Sequence, residues 1–343
     1  MSIRPLSPVG GETVSLFTDA QRTFRSDEER RASLDGALTF KWYALEDTGV
    51  ERSVPAPVRF VFEDDEEGNH YIVLVSEWED LRDPHTVFTT EKEAFLYNLK
   101  AGARYYWCVQ KDGVRSPVSS FVTALDLPRC VKIDGVSNVR DFGGYEVEGG
   151  RIRQGLLYRG SEFEIHTHLS TEGANELRAL GIRTDLDLRG EVVGKGLHPT
   201  SALFGMKYVL LPAVPYCKVF AREHKTNTRR FFMLLAKKNA YPIYFHCWGG
   251  ADRTGTLAFL LGAFLGMKKE DLIYEYEFTS LSRWGTRTRN YPSFIDFIAH
   301  FEALTGDTYK EKSRFFLQEV LGISRQTLTD IEKILIESKK ATL

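Results

Sequence analysis

Apolar and polar residues alternate along the first third of the chain. Residues 37–45 (ALTFKWYAL), 57–63 (PVRFVFE) and 71–78 (YIVLVSEW) are rich in β-branched and aromatic side chains, with acidic and Gly-containing stretches such as 63–69 between them. A period of two bounded by such breakers predicts short, half-buried strands. Within 99–109, Tyr105, Trp107 and Val109 fall on one strand face; Lys111-Asp112-Gly113 turns the chain, and 119–124 (SSFVTA) can pair back. After a linker around 126–130 the pattern changes. Strand signals at 183–188, 208–211 and 241–245 alternate with helical ones at 171–180, 228–238, 254–267 and 271–281, and a helical group runs from 292 to about 339. Alternating strands and helices predict a mostly parallel sheet flanked by helices. The expectation is an all-β sandwich over residues 1–126 followed by an α/β domain over 127–343.

Length and composition agree with two ordinary globular domains: 343 residues, 43% hydrophobic and 27% charged. The net charge of −2 hides an asymmetry, −8 over residues 1–128 and +6 over the remainder. A positive second half suits an anionic substrate. No apolar run is long enough to span a membrane, and the first residues lack a charged head with an apolar stretch behind it. The four cysteines, Cys108, Cys130, Cys217 and Cys247, form no CxxC pair, so reduced thiols in a cytoplasmic protein are expected. The basic residues are not interleaved with aromatics, and no nucleic-acid partner is expected.

The chemistry is concentrated after residues 241–245 (YPIYF), which read as a buried strand. They run into His246-Cys247-Trp248-Gly249-Gly250-Ala251-Asp252-Arg253-Thr254-Gly255, and 256–267 is apolar nearly all round, as a buried helix is. Strand, Gly-containing loop and helix N-terminus together favour an anion, through free backbone N–H groups and the helix dipole. Trp248 to Arg253 supply consecutive donors without a proline, and Gly249 and Gly250 let the backbone curl. Such a setting lowers a thiol's pKa from about 8.5 into the range of about 3.5 to 7.5. Arg253, six positions after Cys247, brings a planar fork that fits two oxygens of a phosphoryl group at once. Thr254 is placed to donate its hydroxyl to the sulfur. His246 beside Cys247 also raises metal or Cys–His protease chemistry, but no second ligand pair stands at zinc spacing.

This loop resembles the signature loop of cysteine-dependent protein tyrosine phosphatases. Its Asp-Arg-Thr-Gly ending is similar to the bacterial atypical subgroup, tyrosine and serine phosphatases that also accept phosphoinositides. Residues 138–144 (NVRDFGG), 155–162 (GLLYRGSE), 180–189 (LGIRTDLDLR) and 322–328 (GISRQTL) look like that subgroup in the same order, so the likeness covers about 130–338. It implies that Cys247 becomes a phosphocysteine and that Arg253 binds the transferring phosphoryl group. Trp248, Gly249, Gly250, Ala251 and Thr254 would then line the substrate, with Asn138, Arg140, Asp141, Arg159, Asp187 and His246 behind them. It implies a phosphorylated protein or small phosphomonoester as substrate, and no metal or cofactor. Residues 5–125 resemble a fibronectin type III domain through Leu99, Gly102 and a corner tyrosine, Tyr105.

Two departures stand out. Some members of the subgroup carry an acid Asp after the strand matching 208–211, but here Pro212-Ala-Val-Pro-Tyr-Cys217 follows, with no carboxylate before Glu223. Asp252 is then the leading general acid, with Asp187 and Asp141 as alternatives. Ala251 stands where phosphoinositide-linked members tend to carry Lys; Arg283, Arg287 and Arg289 in 280–290 (SLSRWGTRTRN) offer positive charge for the pocket rim instead. The polar stretch 212–227 reads as a lid or as a surface connection. The rival classes are a phosphate-binding pseudophosphatase acting as an adaptor, favoured by the missing lid Asp, and a sulfur-transferring enzyme of the rhodanese kind.

Overall fold

The computed structural model describes residues 3–26, 49–65, 70–190 and 199–338. It separates into one unit of Met1–Thr18 with Pro55–Val131 and a second of Asp19–Val54 with Lys132–Leu343. The strand expected at 37–45 lies outside the described residues.

The first unit is built of two sheets. Arg4–Ser7, Val58–Glu63 and Glu93–Leu96 form one; Glu12–Val14, Ser119–Thr123, Arg104–Lys111, Tyr71–Ser76 and His85–Thr89 form the other, in that order. Alternation sends Val58, Phe60 and Phe62 inward, each at most 2% exposed. Phe60 meets Trp107 and Phe121 of the other sheet at ring-centroid distances of 5.0 and 5.7 Å. Trp107, fully buried, donates its indole N–H to the Pro8 carbonyl at 2.8 Å. The Tyr105 hydroxyl accepts from the Lys100 N–H at 2.9 Å.

In the second unit, strands β1 (Arg140–Asp141), β2 (Leu157–Gly160), β3 (Thr184–Asp187), β4 (Lys207–Leu210) and β5 (Ile243–His246) join in the order β1-β2-β5-β3-β4. β1 runs antiparallel to β2, and the remaining pairings are parallel. β1, two residues long, carries no periodicity that a sequence could display. The helices are α1 (Asp19–Arg25), α2 (Thr171–Ala179), α3 (Lys225–Leu235), α4 (Asp252–Leu265), α5 (Lys269–Glu277), α6 (Pro292–Glu302), α7 (Tyr309–Phe315) and α8 (Arg325–Leu335). α4 is buried from Thr254 to Leu265 and stops at Gly266, whose φ of 94° is a left-handed cap.

One expectation is corrected. The helical group does not continue to 339: Ile336–Ser338 is a strand antiparallel to Gly150–Ile152. The described residues between Asp19 and Val54 cluster with the second unit. Phe24 of α1, 1% exposed, packs on Tyr274 and Phe278 at 5.7 and 5.8 Å.

Trp107→Ala removes the largest ring of the first unit's core and the shorter of the two hydrogen bonds to the Pro8 carbonyl, the other coming from Ser119 Oγ at 3.4 Å. It should lower unfolding stability by about 3–5 kcal/mol, read by guanidinium denaturation.

Candidate active site

β5 lies at the centre of the sheet, between two parallel neighbours, and its end delivers His246 and Cys247 to the turn that starts α4. Each carbonyl of that turn has a donor. The Cys247 carbonyl meets His246 Nδ1 at 3.1 Å, and that of Trp248 accepts from the Glu162 N–H at 3.0 Å. The Gly249 carbonyl accepts from Asn138 Nδ2 at 2.8 Å, and that of Gly250 from Arg159 Nη2 at 2.6 Å. A trans peptide sets its N–H opposite its C=O. Holding these four carbonyls on one side therefore turns the N–H groups of Trp248, Gly249, Gly250 and Ala251 to the other. Among the described residues, none of those four N–H groups, nor that of Asp252, has an acceptor. Unpaired amides beside a helix N-terminus form a cradle for an anion. Gly250 is required at its place: its φ is 65°, and a Cβ there would lie 2.2 Å from the Gly160 carbonyl oxygen.

The donors that hold the loop are themselves held by Glu275 of α5. Its carboxylate accepts from Arg140 Nε at 2.7 Å and from Arg159 Nη1. Arg140 Nη1 donates to the Asn138 side-chain oxygen, and so reaches Gly249 through Asn138. Arg140, Arg159 and Asn138 are at most 1% exposed. Burial raises the Glu275 carboxyl's pKa, but the two guanidinium groups outweigh it and hold it below the ordinary value. Sequence reasoning missed Glu275. A carboxylate flanked by two tyrosines, Tyr274 and Tyr276, was the available signal.

Cys247 is 3% exposed. Burial pushes its thiol up, but the Arg253 charge, then the Thr254 hydroxyl and N–H, pull harder, and the pKa falls below its ordinary value. The Thr254 hydroxyl has no oxygen or nitrogen partner among the described residues. Arg253 leans on the Leu188 carbonyl through Nη1 at 3.5 Å. Beneath the loop, His246 Nε2 stands 2.8 Å from Asp185 Oδ1, both fully buried, in a charge pair without hydrogen-bond alignment. Burial opposes the imidazolium, yet Asp185, with Asp187 behind it, raises the His246 pKa to about 9.

The three candidate acids differ sharply. Asp141 is fully buried and caps the Gly143 and Gly155 N–H groups at 2.8 and 2.6 Å. Asp187, also fully buried, is spent on Arg189 and on the Tyr208 hydroxyl at 2.7 Å. Both therefore sit where the resemblance placed them, as carboxylates behind the loop, rather than as the alternative acids. Asp252 is partly exposed. Arg287 spans it, Nε to Oδ1 at 2.7 Å and Nη2 to Oδ2 at 3.0 Å, and Tyr216 Oη donates to Oδ1. Of the rim arginines, then, Arg287 is bound to Asp252, and Arg289 forks onto the buried Glu277 at 3.0 and 2.8 Å. Arg283 is exposed, with its N–H 3.4 Å from Glu51. The stretch 212–227 coils into turns at Tyr216–Phe220 and Arg222–His224 and stacks Phe220 on Phe297 at 5.8 Å. Aromatic rings flank the loop: Trp248 meets His166 at 4.5 Å, and Trp284 lies so close to Gly249 that a Cβ there would fall 2.5 Å from it.

A mostly parallel sheet whose central strand ends in a cysteine-bearing, amide-lined turn defines an α/β unit built around that turn. The tyrosine phosphatase family matches residues 131–337, more than half of the chain, and the chain belongs to that family. It is 28% identical over 172 residues to a candidate tyrosine-protein phosphatase of Cupriavidus necator, a match covering 42% of this chain and 60% of that protein's length. Among solved structures it is similar to the core catalytic domain of the PP-IP phosphatase Siw14 from S. cerevisiae. That likeness has 16% identity and a TM-score of 0.32, and covers 50% of this chain and 93% of the other. A candidate phosphatase of the DUF442 group from Shewanella putrefaciens is similar at 16% identity and a TM-score of 0.30, covering 47% and 93%.

Glu275→Gln strands two buried guanidinium groups and should cost about 3–5 kcal/mol in urea denaturation. His246 has a folded-state pKa above its unfolded value near 6.5. Its contribution is therefore complete below that value and is lost as pH rises through about 9. Wild type should lose stability relative to His246→Gln across that window, measured by denaturation at a series of pH values.

Proposed function

We propose that this chain hydrolyses phosphomonoesters through a phosphocysteine intermediate, with phosphotyrosine in a protein as the leading substrate and phosphoserine or a phosphoinositide as alternatives. The observation that carries this reading is the row of unpaired amides beside a thiol whose pKa is lowered by Arg253 and Thr254.

The phosphate dianion sits on the loop amides, with the Arg253 fork closing over two of its oxygens. The Cys247 thiolate attacks phosphorus in line; the S–P bond forms as the bond to the leaving oxygen breaks. Asp252 gives its proton to that oxygen. Water then attacks phosphorus and passes a proton to Asp252, the S–P bond breaks, and phosphate leaves with the thiolate restored. In the resting protein the Arg287 pair outweighs burial and holds Asp252 ionised. An arriving dianion competes for the arginine and adds like charge, both of which raise the carboxyl's affinity for a proton. Asn138, Arg140, Arg159 and His246 act by keeping the loop in shape. The rings of Trp248, Trp284 and His166 beside the loop support an aromatic leaving group. We also read the first unit, expected over residues 1–126, as fibronectin type III-like, which the Tyr105 corner bond supports.

Cys247→Ser should reduce p-nitrophenyl phosphate turnover to background, and Arg253→Lys should lower kcat/KM about a hundredfold. If wild type and Cys247→Ser are both inactive yet bind a phosphotyrosine peptide equally, the chain is a phosphate-binding adaptor and the enzyme reading falls.

A further inference from the structure

Tyr216 takes no part in the steps above, yet its placement is unusual. It adopts a φ of 56°, in the left-handed region that a bulky side chain seldom enters. Two bonds from different parts of the residue hold it there. Its N–H donates to Thr256 Oγ1 at 2.8 Å, and that hydroxyl in turn donates to the Asp252 carbonyl at 2.8 Å. Its phenol donates to Asp252 Oδ1. The residue thus grips Asp252 by backbone and by side chain.

The phenol's second contact fixes the direction of the chain. Tyr216 Oη lies 2.9 Å from Tyr276 Oη. Because the Tyr216 proton is committed to Asp252, Tyr276 must be the donor between the two. The relay therefore runs Tyr276 to Tyr216 to Asp252. Tyr276 is itself immobilised, its ring stacked on Phe294 at 3.9 Å and 4°. Among the described residues, Oδ1 of Asp252 then accepts from both Tyr216 and Arg287 Nε, whereas Oδ2 accepts only from Arg287 Nη2. The less occupied oxygen, Oδ2, is the one with room to carry a proton.

We infer that Tyr216 is a positioning residue for the general acid, which it aims so that Oδ2 bears the transferred proton while the phenol steadies the carboxylate left behind. The inference rests on the proposed acid role of Asp252. The groups that face Asp252 are Arg287 from the loop after α5, Tyr216 from the segment before α3, Tyr276 from α5, and Arg253 and Cys247 from its own turn. Burial first, then Tyr276 and Asp252, hold the Tyr216 phenol well above its ordinary pKa, so it stays a donor throughout the working range.

The test is the pH dependence of the single-turnover cleavage rate at saturating enzyme, which reads the acid in the complex, for the full chain with phenyl phosphate, whose leaving group needs a proton, and with p-nitrophenyl phosphate, whose leaving group does not. Tyr216→Phe keeps the ring and removes only the hydroxyl. Loss of a hydrogen bond to the ionised carboxylate raises its proton affinity, so the basic limb for phenyl phosphate should move up by about one unit. The p-nitrophenyl phosphate profile should stay in place. Tyr276→Phe, acting through Tyr216, should move the same limb in the same direction by less. A merely structural role would lower the rate at all pH values without moving the limb. An unmoved limb in Tyr216→Phe, while Asp252→Asn still harms phenyl phosphate more than p-nitrophenyl phosphate, overturns the inference and leaves the acid role standing. Equal losses of both substrates in Asp252→Asn overturn the acid role and the inference together.

Discussion

The arrangement depends on one carboxylate. Glu275 joins Arg140 and Arg159 in the interior of the second unit, and through them two successive loop carbonyls are held away from the cradle. Without those anchors the Gly249 and Gly250 peptides would be free to rotate, since glycine offers little resistance. A buried ion cluster of this sort is a weak source of stability, because desolvating each charge costs several kcal/mol. Its value lies in direction. It sets the peptide planes before any anion arrives, so no reorganisation is needed at the moment of binding.

Charge around the loop is divided between two levels. Below it, the His246–Asp185 pair and the Arg189 cluster are sealed from water, with Arg189 Nη1 on Glu162 at 2.6 Å. Elsewhere around the loop, Arg253 leans on the Leu188 carbonyl and Arg287 pairs with the partly exposed Asp252. The buried level accepts four backbone N–H groups, from Glu164 to Thr167, on Glu162, and so shapes the segment that also donates to the Trp248 carbonyl. The cations that brace the loop and those proposed to meet the substrate are thus different residues.

The segment 212–227 illustrates how tertiary contact overrides composition. Its polar makeup reads as a surface connection or a lid, but two side chains decide its position: Phe220, stacked against α6, and Tyr216, bound to Asp252. Neither contact has a local signature, because each partner lies more than thirty residues away in the chain.

By itself the sequence determined what is local and contiguous. The strand–loop–helix at 243–265, the nearby Cys247 and Arg253, the glycines that let the turn curl, and the alternating strands of the first unit are all encoded within a few residues of one another. Tertiary structure alone decided which charges meet. Asp141, Asp187 and Asp252 have the same chemistry on the page of the sequence, yet packing made two of them braces and left one at the open side of the loop. Glu275, Tyr216 and Phe24 likewise acquire their roles only when distant elements pack. The energy of an ion pair or a ring contact depends on distance and burial, and periodicity along a chain records neither.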